Sequence, residues 1–394
     1  MNGFDLIGGL LWLPVALTGA YLLVFALAGK LLSRHRLKSE VGEATHRRIA
    51  VLVPAYREDA VILDTAQRLL QIDYPQDCWD LVIIGDHLQA DTVARLRAMP
   101  LRFIELTLTE STKAKALNAA LQQLGAGYDV ALVLDADNVV DLQVLHDFDR
   151  AFRAGKRVVQ ARRVAKNQNS AVAILDAISE EVNNTIFCQG HRSLGLSSRL
   201  IGSGMAFDYA LFKQFMAENH AVGGFDKELE LTLMHEGEIV EYLPDTWIYD
   251  EKVSQGAHFG RQRLRWIAAQ YHYLGRFFSP ALSCLLRGER LSFVDKTLQM
   301  LLLPRLVLIG TATLGSLLAW LLGSSPLAWA WTGAFLAVAA AYAIATPGRF
   351  YRLETFKALM QLPAVSFRLV WELRGIRQAN KKFIHTPHSV NNDH

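Results

Sequence analysis

The chain has 394 residues, of which 51% are hydrophobic, and its formal net charge is +3 at pH 7. This length allows a catalytic domain of roughly 200 to 250 residues together with further segments. The small net charge gives no case for nucleic-acid binding. The three cysteines, Cys78, Cys188 and Cys284, have no metal or disulfide spacing, which indicates free thiols in a reducing compartment.

An apolar segment runs from Leu6 to Leu32 and is long enough to cross a bilayer about 30 Å thick. A signal peptide is the rival interpretation. The run is too long for its apolar core, no basic region precedes it, and no clear cleavage site follows. We therefore predict a transmembrane helix within residues 1–33. The basic residues Arg34, Arg36 and Lys38 follow and predict that the next segment is cytoplasmic.

Residues 48–255 alternate strand and helix patterns. Ile49–Val53 is a buried-type strand that should end its ladder at Pro54, and Leu81–Ile84 is a second strand that leads to Asp86. The Asp86 carboxylate can accept hydrogen bonds from a nucleobase or a ribose, or it simply caps the next helix. A further buried-type strand is Val130–Leu134. Strands that end in polar residues and precede helices predict an α/β nucleotide-binding half.

Two carboxylates, Asp135 and Asp137, follow that last strand with one residue between them. Such a pair offers oxygen ligands to Mg²⁺ or Mn²⁺, which would bridge to nucleotide phosphates. A solvated acidic turn is the plainer interpretation. Lys113 precedes a helical pattern, Ala114–Leu124, and can meet a phosphate there, although a solvated helix start is equally compatible with the sequence.

The second half of this region is less regular. Gly202 and Gly204 allow a ligand to approach the backbone closely, or form an ordinary turn. Asp226 and Glu228 lie near the start of a helix, where they favour the helix dipole or supply a general base. Farther along, the RQRLRW stretch at 261–266 suits a diphosphate and a sugar ring, or an interfacial helix with snorkelling arginines.

Two more apolar runs, Leu298–Leu322 and Pro326–Thr346, predict a pair of transmembrane helices joined by a short external hairpin. Leu359–Leu373 is apolar but contains Arg368 and Glu372. We interpret it as an interfacial amphipathic helix. A basic, then polar, tail follows and should be cytoplasmic.

Together these stretches resemble the membrane-bound family 2 glycosyltransferases, the group that includes cellulose, chitin and hyaluronan synthases. The resemblance covers about residues 48–270 and the flanking membrane pattern. It implies an α/β GT-A fold, a Rossmann-like mixed sheet that binds a nucleotide-sugar. The expected domains are a transmembrane helix at 1–33, the GT-A domain at 48–255, interfacial helices at 256–290, two transmembrane helices at 296–347, and an interfacial helix with a basic tail at 348–394.

The resemblance also implies a role for each motif. VPAYRED, the aspartate of the second strand and STKAKALN are similar to nucleotide-binding motifs, which involves Pro54, Ala55, Tyr56, Glu58, Asp86 and Lys113. DAD matches the metal motif, with Asp137 as the direct ligand and Asp135 helping it. IGSGMAF looks like the acceptor loop, which involves Gly202, Ser203 and Gly204. QRLRW fits the family's Q-x-x-R-W, which places Gln262, Arg263, Arg265 and Trp266 near the diphosphate and the acceptor.

One motif departs from the family pattern. The family base is the aspartate of a Thr-Glu-Asp triplet that precedes Leu-Glu-Leu, and here Asp226, Lys227 and Glu228 precede Leu229-Glu230-Leu231. Register places Glu228 at the base position. A glutamate has a similar intrinsic pKa and reaches about one bond further, and Asp226 is the reserve candidate.

The resemblance therefore implies an inverting transfer from a UDP-sugar, with Mg²⁺ or Mn²⁺, to a growing polysaccharide through a β-linkage. Transfer of one sugar to a lipid acceptor is the alternative, and an inactive membrane scaffold that binds nucleotide-sugar is a third interpretation. The expected location is the inner (plasma) membrane, multi-pass, with a cytoplasmic catalytic domain. A homo-oligomer or an export partner would complete the thin membrane wall.

Overall fold

The computed structural model describes residues 3–32, 45–219, 221, 223–252 and 256–361, and of Phe4 and residues 256–268 it describes only the backbone. Most of the expected interfacial helix Leu359–Leu373, and all of the tail after it, lie outside the described residues.

One mixed sheet of eight strands forms the centre of the α/β domain. The strands are β1 Ile49–Tyr56, β2 Trp79–Asp86, β3 Arg102–Leu106, β4 Val130–Val133, β5 Val139–Val140, β6 Val158–Ala165, β7 Met205–Asp208 and β8 Val240–Asp250. Their order in the sheet is β3-β2-β1-β4-β7-β6-β8-β5. The first four strands in this order are parallel, and β7 pairs antiparallel to both β4 and β6.

Helices cover both faces of this sheet and extend beyond it. They are α1 Gly3–Leu31, α2 Ile62–Leu69, α3 Ala90–Arg97, α4 Lys113–Leu124, α5 Val144–Arg153, α6 Ala171–Asn183, α7 His191–Ser193, α8 Tyr209–Ala217, α9 Phe225–Glu236, α10 Gly256–Arg287, α11 Leu291–Gln299, α12 Arg305–Leu322, α13 Ser325–Ala345 and α14 Leu353–Leu359. The sequence pattern predicts one long helix over Ala171–Phe187, but α6 ends earlier, at Asn183, and a π-helical turn, Asn184–Gly190, follows it.

Two apolar cores enclose the sheet. Side chains of α4, α8 and α9, with α10 and α11 behind them, pack against one face. Side chains of α2, α3 and α5 pack against the other. Because β1 and β4 are buried on both faces, their sequences are continuous apolar runs rather than alternating patterns.

The prediction that Pro54 ends the ladder is wrong on one side of β1. The strand continues to Tyr56, and Pro54 pairs with Ile84 of β2. The carbonyl of Leu52 accepts from Leu134 N at 3.0 Å, so Leu52 faces β4, and Pro54, two residues on, faces the same side. β4 has ended by this point, so the N–H that proline lacks has no ladder partner to lose.

Three helices are long and apolar enough to cross a membrane, at Asp5–Leu31, Arg305–Leu322 and Ser325–Ala345, within the part of the chain that the structure describes. The second begins later than the sequence predicts. α11 ends at Gln299, and α12 starts at Arg305 directly after Pro304, whose ring disfavours a helical conformation in the residue before it.

The first of these helices, α1, packs closely against the α/β domain. A Cβ atom added to Gly29 would overlap the carbonyl of Thr185, and one added to Gly190 would overlap the carbonyl of Phe25. The ring of Phe25 also stacks on His191, with 3.8 Å between ring centroids. Backbone-to-backbone approach at two glycines therefore joins α1 to the π-helical turn.

We expect Gly190→Ala to destabilise the protein, because its Cβ would meet backbone atoms that cannot rotate away. Overpacking of this kind costs about 1–3 kcal/mol, which corresponds to a Tm lower by roughly 2 to 10 °C in thermal unfolding of the purified protein. Gly275→Ala is the matched control, since its added Cβ meets nothing within 4 Å. Equal Tm values for the two variants would contradict the close packing of α1.

Candidate active site

Three carboxylates meet at the carboxyl edge of the sheet. Asp135 and Asp137 follow β4, and Asp250 ends β8. One oxygen atom from each lies within 4.8 Å of the others. We call these three residues the acidic triad. The first two were predicted from the sequence, whereas Asp250 was not.

Asp250 joins the triad because β8 is longer than predicted. The apolar pattern predicts a strand over Ile239–Leu243, but β8 runs on through Pro244 to Asp250. An irregularity opposite Ala161 and Arg162 restores its pairing with β6. The signal that could have revealed it is the composition of Thr246-Trp247-Ile248-Tyr249, because all four residues are β-branched or aromatic types that are enriched in strands.

The donor set of the triad fits a hard divalent cation. Carboxylate oxygens are the ligands that Mg²⁺ and Mn²⁺ prefer. Asp137 is buried, and one of its oxygens accepts from Glu251 N at 3.1 Å. Mutual repulsion of three close carboxylates falls when a cation binds between them.

Basic side chains surround the triad. Lys113 pairs with Asp135, and Lys252 Nζ lies 2.8 Å from Asp250 Oδ2. Burial alone would lower the pKa of Arg163, but neighbouring carboxylates raise it above its usual value. These carboxylates are Asp250, Asp135, Asp176 and Asp226. Arg163 was not predicted as a site residue, because it lies on β6, outside every motif recognised in the sequence.

Lys113 links the triad to the predicted acceptor loop. Besides its pair with Asp135, its Nζ donates to the carbonyl of Gly202 at 2.7 Å. Thr112 caps α4 by accepting from Lys115 N, which fixes Lys113 at the first turn of that helix. The structure therefore brings two predicted motifs into direct contact.

The predicted nucleotide motifs lie side by side at the ends of β1 and β2. Pro54, Ala55 and Tyr56 end β1, and Glu58 follows and is buried. Asp86 is buried and accepts from Leu108 N at 3.1 Å and His87 Nδ1 at 2.7 Å. It does not cap α3, because that helix begins at Ala90 with no side-chain cap.

Backbone strain marks the same edge. Arg57 and His87 follow the two strands directly and both have a φ of 55°. Non-glycine residues rarely adopt this left-handed conformation, and it concentrates at ligand sites. The strained turn is held by Arg57 N, which donates to the carbonyl of Asp86 at 3.1 Å.

The predicted acceptor loop needs its glycines. Gly202 and Gly204 have φ values of 87° and 62°, and a Cβ on Gly204 would come 2.6 Å from Ile248 Cγ1. Gln160, a buried residue that the sequence did not single out, holds the loop. Its Oε1 accepts from Ile201 N at 3.1 Å, and its Nε2 donates to the carbonyl of Ser203 at 2.9 Å.

The two candidate bases have different surroundings. A Cβ on Gly202 would lie 3.6 Å from Asp226 Oδ2, so Asp226 borders the acceptor loop. Glu228 is buried and pairs with Arg276 of α10, and Tyr273 OH donates to it at 3.4 Å. Burial raises the pKa of the Tyr273 hydroxyl, and the carboxylates of Glu228 and Asp226 raise it further.

Lys227, which stands where the family has an acid, has a partner in the same helix. Its Nζ donates to Glu230 Oε2 at 3.1 Å, and Lys296 of α11 lies 2.7 Å from Glu230 Oε1. Burial alone would raise the pKa of Glu230, but Lys227 and Lys296 lower it below its usual value. Since Leu200 N also donates to Glu230 at 2.8 Å, this carboxylate anchors α9 beside the acceptor loop.

The predicted Q-x-x-R-W residues lie on α10. The side chains of Gln262, Arg263, Arg265 and Trp266 lie outside the described part of the chain.

Comparison with known proteins agrees with this geometry. A model of the family described as "Glycosyltransferase like family 2" matches residues 46–269. Over 251 residues the chain is 24% identical to a poly-beta-1,6-N-acetyl-D-glucosamine synthase of Staphylococcus epidermidis, a match that covers 59% of this chain and 57% of that protein. Over 280 residues it is 26% identical to a beta-monoglucosyldiacylglycerol synthase of Synechocystis, with 66% and 56% covered. The chain thus spans little more than half the length of these relatives.

Among solved structures, the chain resembles the mannosyltransferase PcManGT of Pyrobaculum calidifontis, which was solved with GDP-Man and Mn²⁺. The TM-score is 0.57 at 18% identity, and the match covers 93% of this chain and 99% of that one. This similarity confirms the predicted GT-A fold. Because the family model matches more than half of the sequence, the chain belongs to glycosyltransferase-like family 2, and the residues that the structure describes include three helices apolar enough to cross a membrane.

Proposed function

We propose that this glycosyltransferase transfers a sugar from a UDP-sugar to a growing polysaccharide at the cytoplasmic face of the inner (plasma) membrane, with inversion at the anomeric carbon. The observation that carries the proposal is the acidic triad, which shares one edge of the sheet with Lys113, the acceptor loop and Asp226. Ligands of open α/β sheets bind at this edge.

The donor would lie along the ends of β1, β2 and β4. Asp86 would accept hydrogen bonds from the nucleobase, and Lys113, at the start of α4, would approach the diphosphate. Asp137, with Asp135 and Asp250, would hold Mg²⁺ or Mn²⁺, and the ion would neutralise charge on the leaving diphosphate. Arg263 and Arg265 would add positive charge, and Trp266 a stacking face for the acceptor sugar, by their match to the family motif.

Asp226 is the base that the geometry supports best, ahead of Glu228. It borders Gly202 of the acceptor loop, whereas Glu228 is paired with Arg276. Asp226 would take the proton of the acceptor hydroxyl as that oxygen attacks the anomeric carbon. The bond to the diphosphate breaks on the opposite face, so an α-linked donor gives a β-linked product.

We expect Asp226→Asn to lower kcat by about 10²- to 10⁴-fold, the usual range for losing a general base, with donor affinity unchanged. Glu228→Gln keeps the shape but weakens the pair with Arg276, so we expect a loss of roughly tenfold or less. Initial rates at saturating donor and calorimetric donor binding measure both effects. If Glu228→Gln lowered kcat more than Asp226→Asn did, at unchanged donor affinity, Glu228 rather than Asp226 would be the base.

For the metal, we expect Asp137→Ala and Asp250→Ala to weaken Mn²⁺ binding, measured by titrating the purified full chain with Mn²⁺ alone. Turnover should fall with it, by about 10²-fold or more, because charge on the leaving group is no longer neutralised. Asp245→Ala is the matched control, since Asp245 lies exposed on the same strand, β8, and is not part of the triad. Turnover that survives a chelator would contradict the metal role.

Transfer of one sugar to a lipid is the second candidate, and a cavity favours it. The cavity has a volume of about 390 Å³ and lies between α1, α12 and α13. Its lining is almost entirely apolar and includes Leu11, Leu306, Gly310, Leu314 and Trp331. It extends along α12 from the residue after Arg305, so a hydrocarbon chain inside it would run from the cytoplasmic end of that helix into the membrane.

The decisive experiment offers the lipid-embedded protein a panel of radiolabelled UDP-sugars with Mn²⁺ and sizes the products. We expect label in high-molecular-weight material from one donor. Label confined to an organic-extractable glycolipid would instead establish the lipid acceptor. In that case Gly310→Leu, which fills the cavity without meeting an atom within 4 Å of its Cβ, should lower transfer at least severalfold. Gly333→Leu, whose Cβ also meets nothing within 4 Å and which lies outside the cavity lining, is its matched control.

A further inference from the structure

Asn138, the residue directly after the DAD motif, connects three parts of the site. Its side chain is completely buried. Its Oδ1 accepts from Asp135 N at 2.9 Å and from the hydroxyl of Ser203. Its Nδ2 donates to Asp250 Oδ1 at 3.3 Å.

Both polar atoms of the Asn138 amide match the hydrogen-bonding groups that they face. The oxygen faces an N–H and an O–H, which are donors, and the nitrogen faces a carboxylate, which only accepts. A buried amide that makes all these bonds is stable, whereas an unsatisfied one costs about 1–3 kcal/mol. A carboxylate at this position could not donate to Asp250, and a hydrophobic side chain would leave Asp135 N without this acceptor.

Only some of the hydrogen bonds of Asn138 join residues that are close together in the sequence. The bond from Asp135 N, together with Asn138 N donating to the carbonyl of Asp135 at 3.2 Å, forms a tight turn of the kind that asparagine often stabilises. A turn does not explain the bond to Asp250, which lies 112 residues farther along the chain. Nor does it explain the bond to Ser203 on the acceptor loop.

We propose that Asn138 is a positioning residue that orients Asp250 toward the metal and ties the acceptor loop to the same point through Ser203. The proposal rests on the metal role of the acidic triad. Groups that hydrogen-bond to metal ligands fix their orientation, and removing one typically weakens metal binding by about 10- to 100-fold. Loop and metal ligand would thus keep a constant relative position.

The test measures binding of Mn²⁺ alone to the purified full chain by calorimetry. We expect Asn138→Ala to weaken Mn²⁺ binding by about tenfold or more. Asn138→Ser, whose hydroxyl still accepts from Asp135 N but is too short to reach Asp250, should have the same effect and leaves a smaller gap. Asn219→Ala is the matched control: Asn219 is also buried, but it bonds the backbone of Phe225 rather than a triad carboxylate, so its Mn²⁺ affinity should not change.

A double-mutant cycle separates positioning from general damage. In an Asp250→Ala background, adding Asn138→Ser should change Mn²⁺ affinity by less than about twofold, because serine keeps the bond from Asp135 N and the lost partner, Asp250, is already gone. A full tenfold loss in that background, or unchanged affinity in the single variants, would overturn the proposal. If the unaltered chain fails to bind Mn²⁺, the metal role of the triad itself is wrong, so the two failures are distinguishable.

Discussion

The site depends on keeping three carboxylates close together at a largely buried edge of the sheet. Like charges within 4.8 Å repel one another strongly where water is scarce. Three positively charged side chains offset this repulsion. Lys113 pairs with Asp135, and both Arg163 and Lys252 pair with Asp250. Each of these cations also binds a second element, so the charge balance and the positions of the acceptor loop and β8 are set by the same contacts.

These contacts continue through α6 to a helix that is apolar enough to cross a membrane. Glu180 of α6 accepts from Arg163 Nε at 2.6 Å and also pairs with Lys252. The carbonyl of the preceding residue, Ser179, accepts from Arg305 at the start of α12 at 2.7 Å. One helix therefore contacts both the triad's cations and the end of a candidate span.

Sequence patterns predicted the parts of the fold and site that depend on local order. Asp135 and Asp137 were found because a continuous apolar strand ends directly before them, and the three apolar helices because length and composition suffice to recognise them. Asp250 was missed since its role depends on how far β8 extends, which the pairing with β6 decides. Asn138 and Gln160 were missed for a related reason. Their partners are up to 112 residues away in the chain, and no spacing in the sequence encodes such contacts.

The glycine contacts of α1 have a consequence for how the protein would meet an acceptor. Because Gly29 and Gly190 allow backbone atoms to touch, the α/β domain rests directly on a helix that is apolar enough to lie in a bilayer. The depth of a lipid surface relative to the sheet would then be defined by helix packing rather than by the length of a connecting segment. Under the proposed function, an acceptor held at the membrane would meet the acidic triad at one constant height, and successive additions would start from the same geometry.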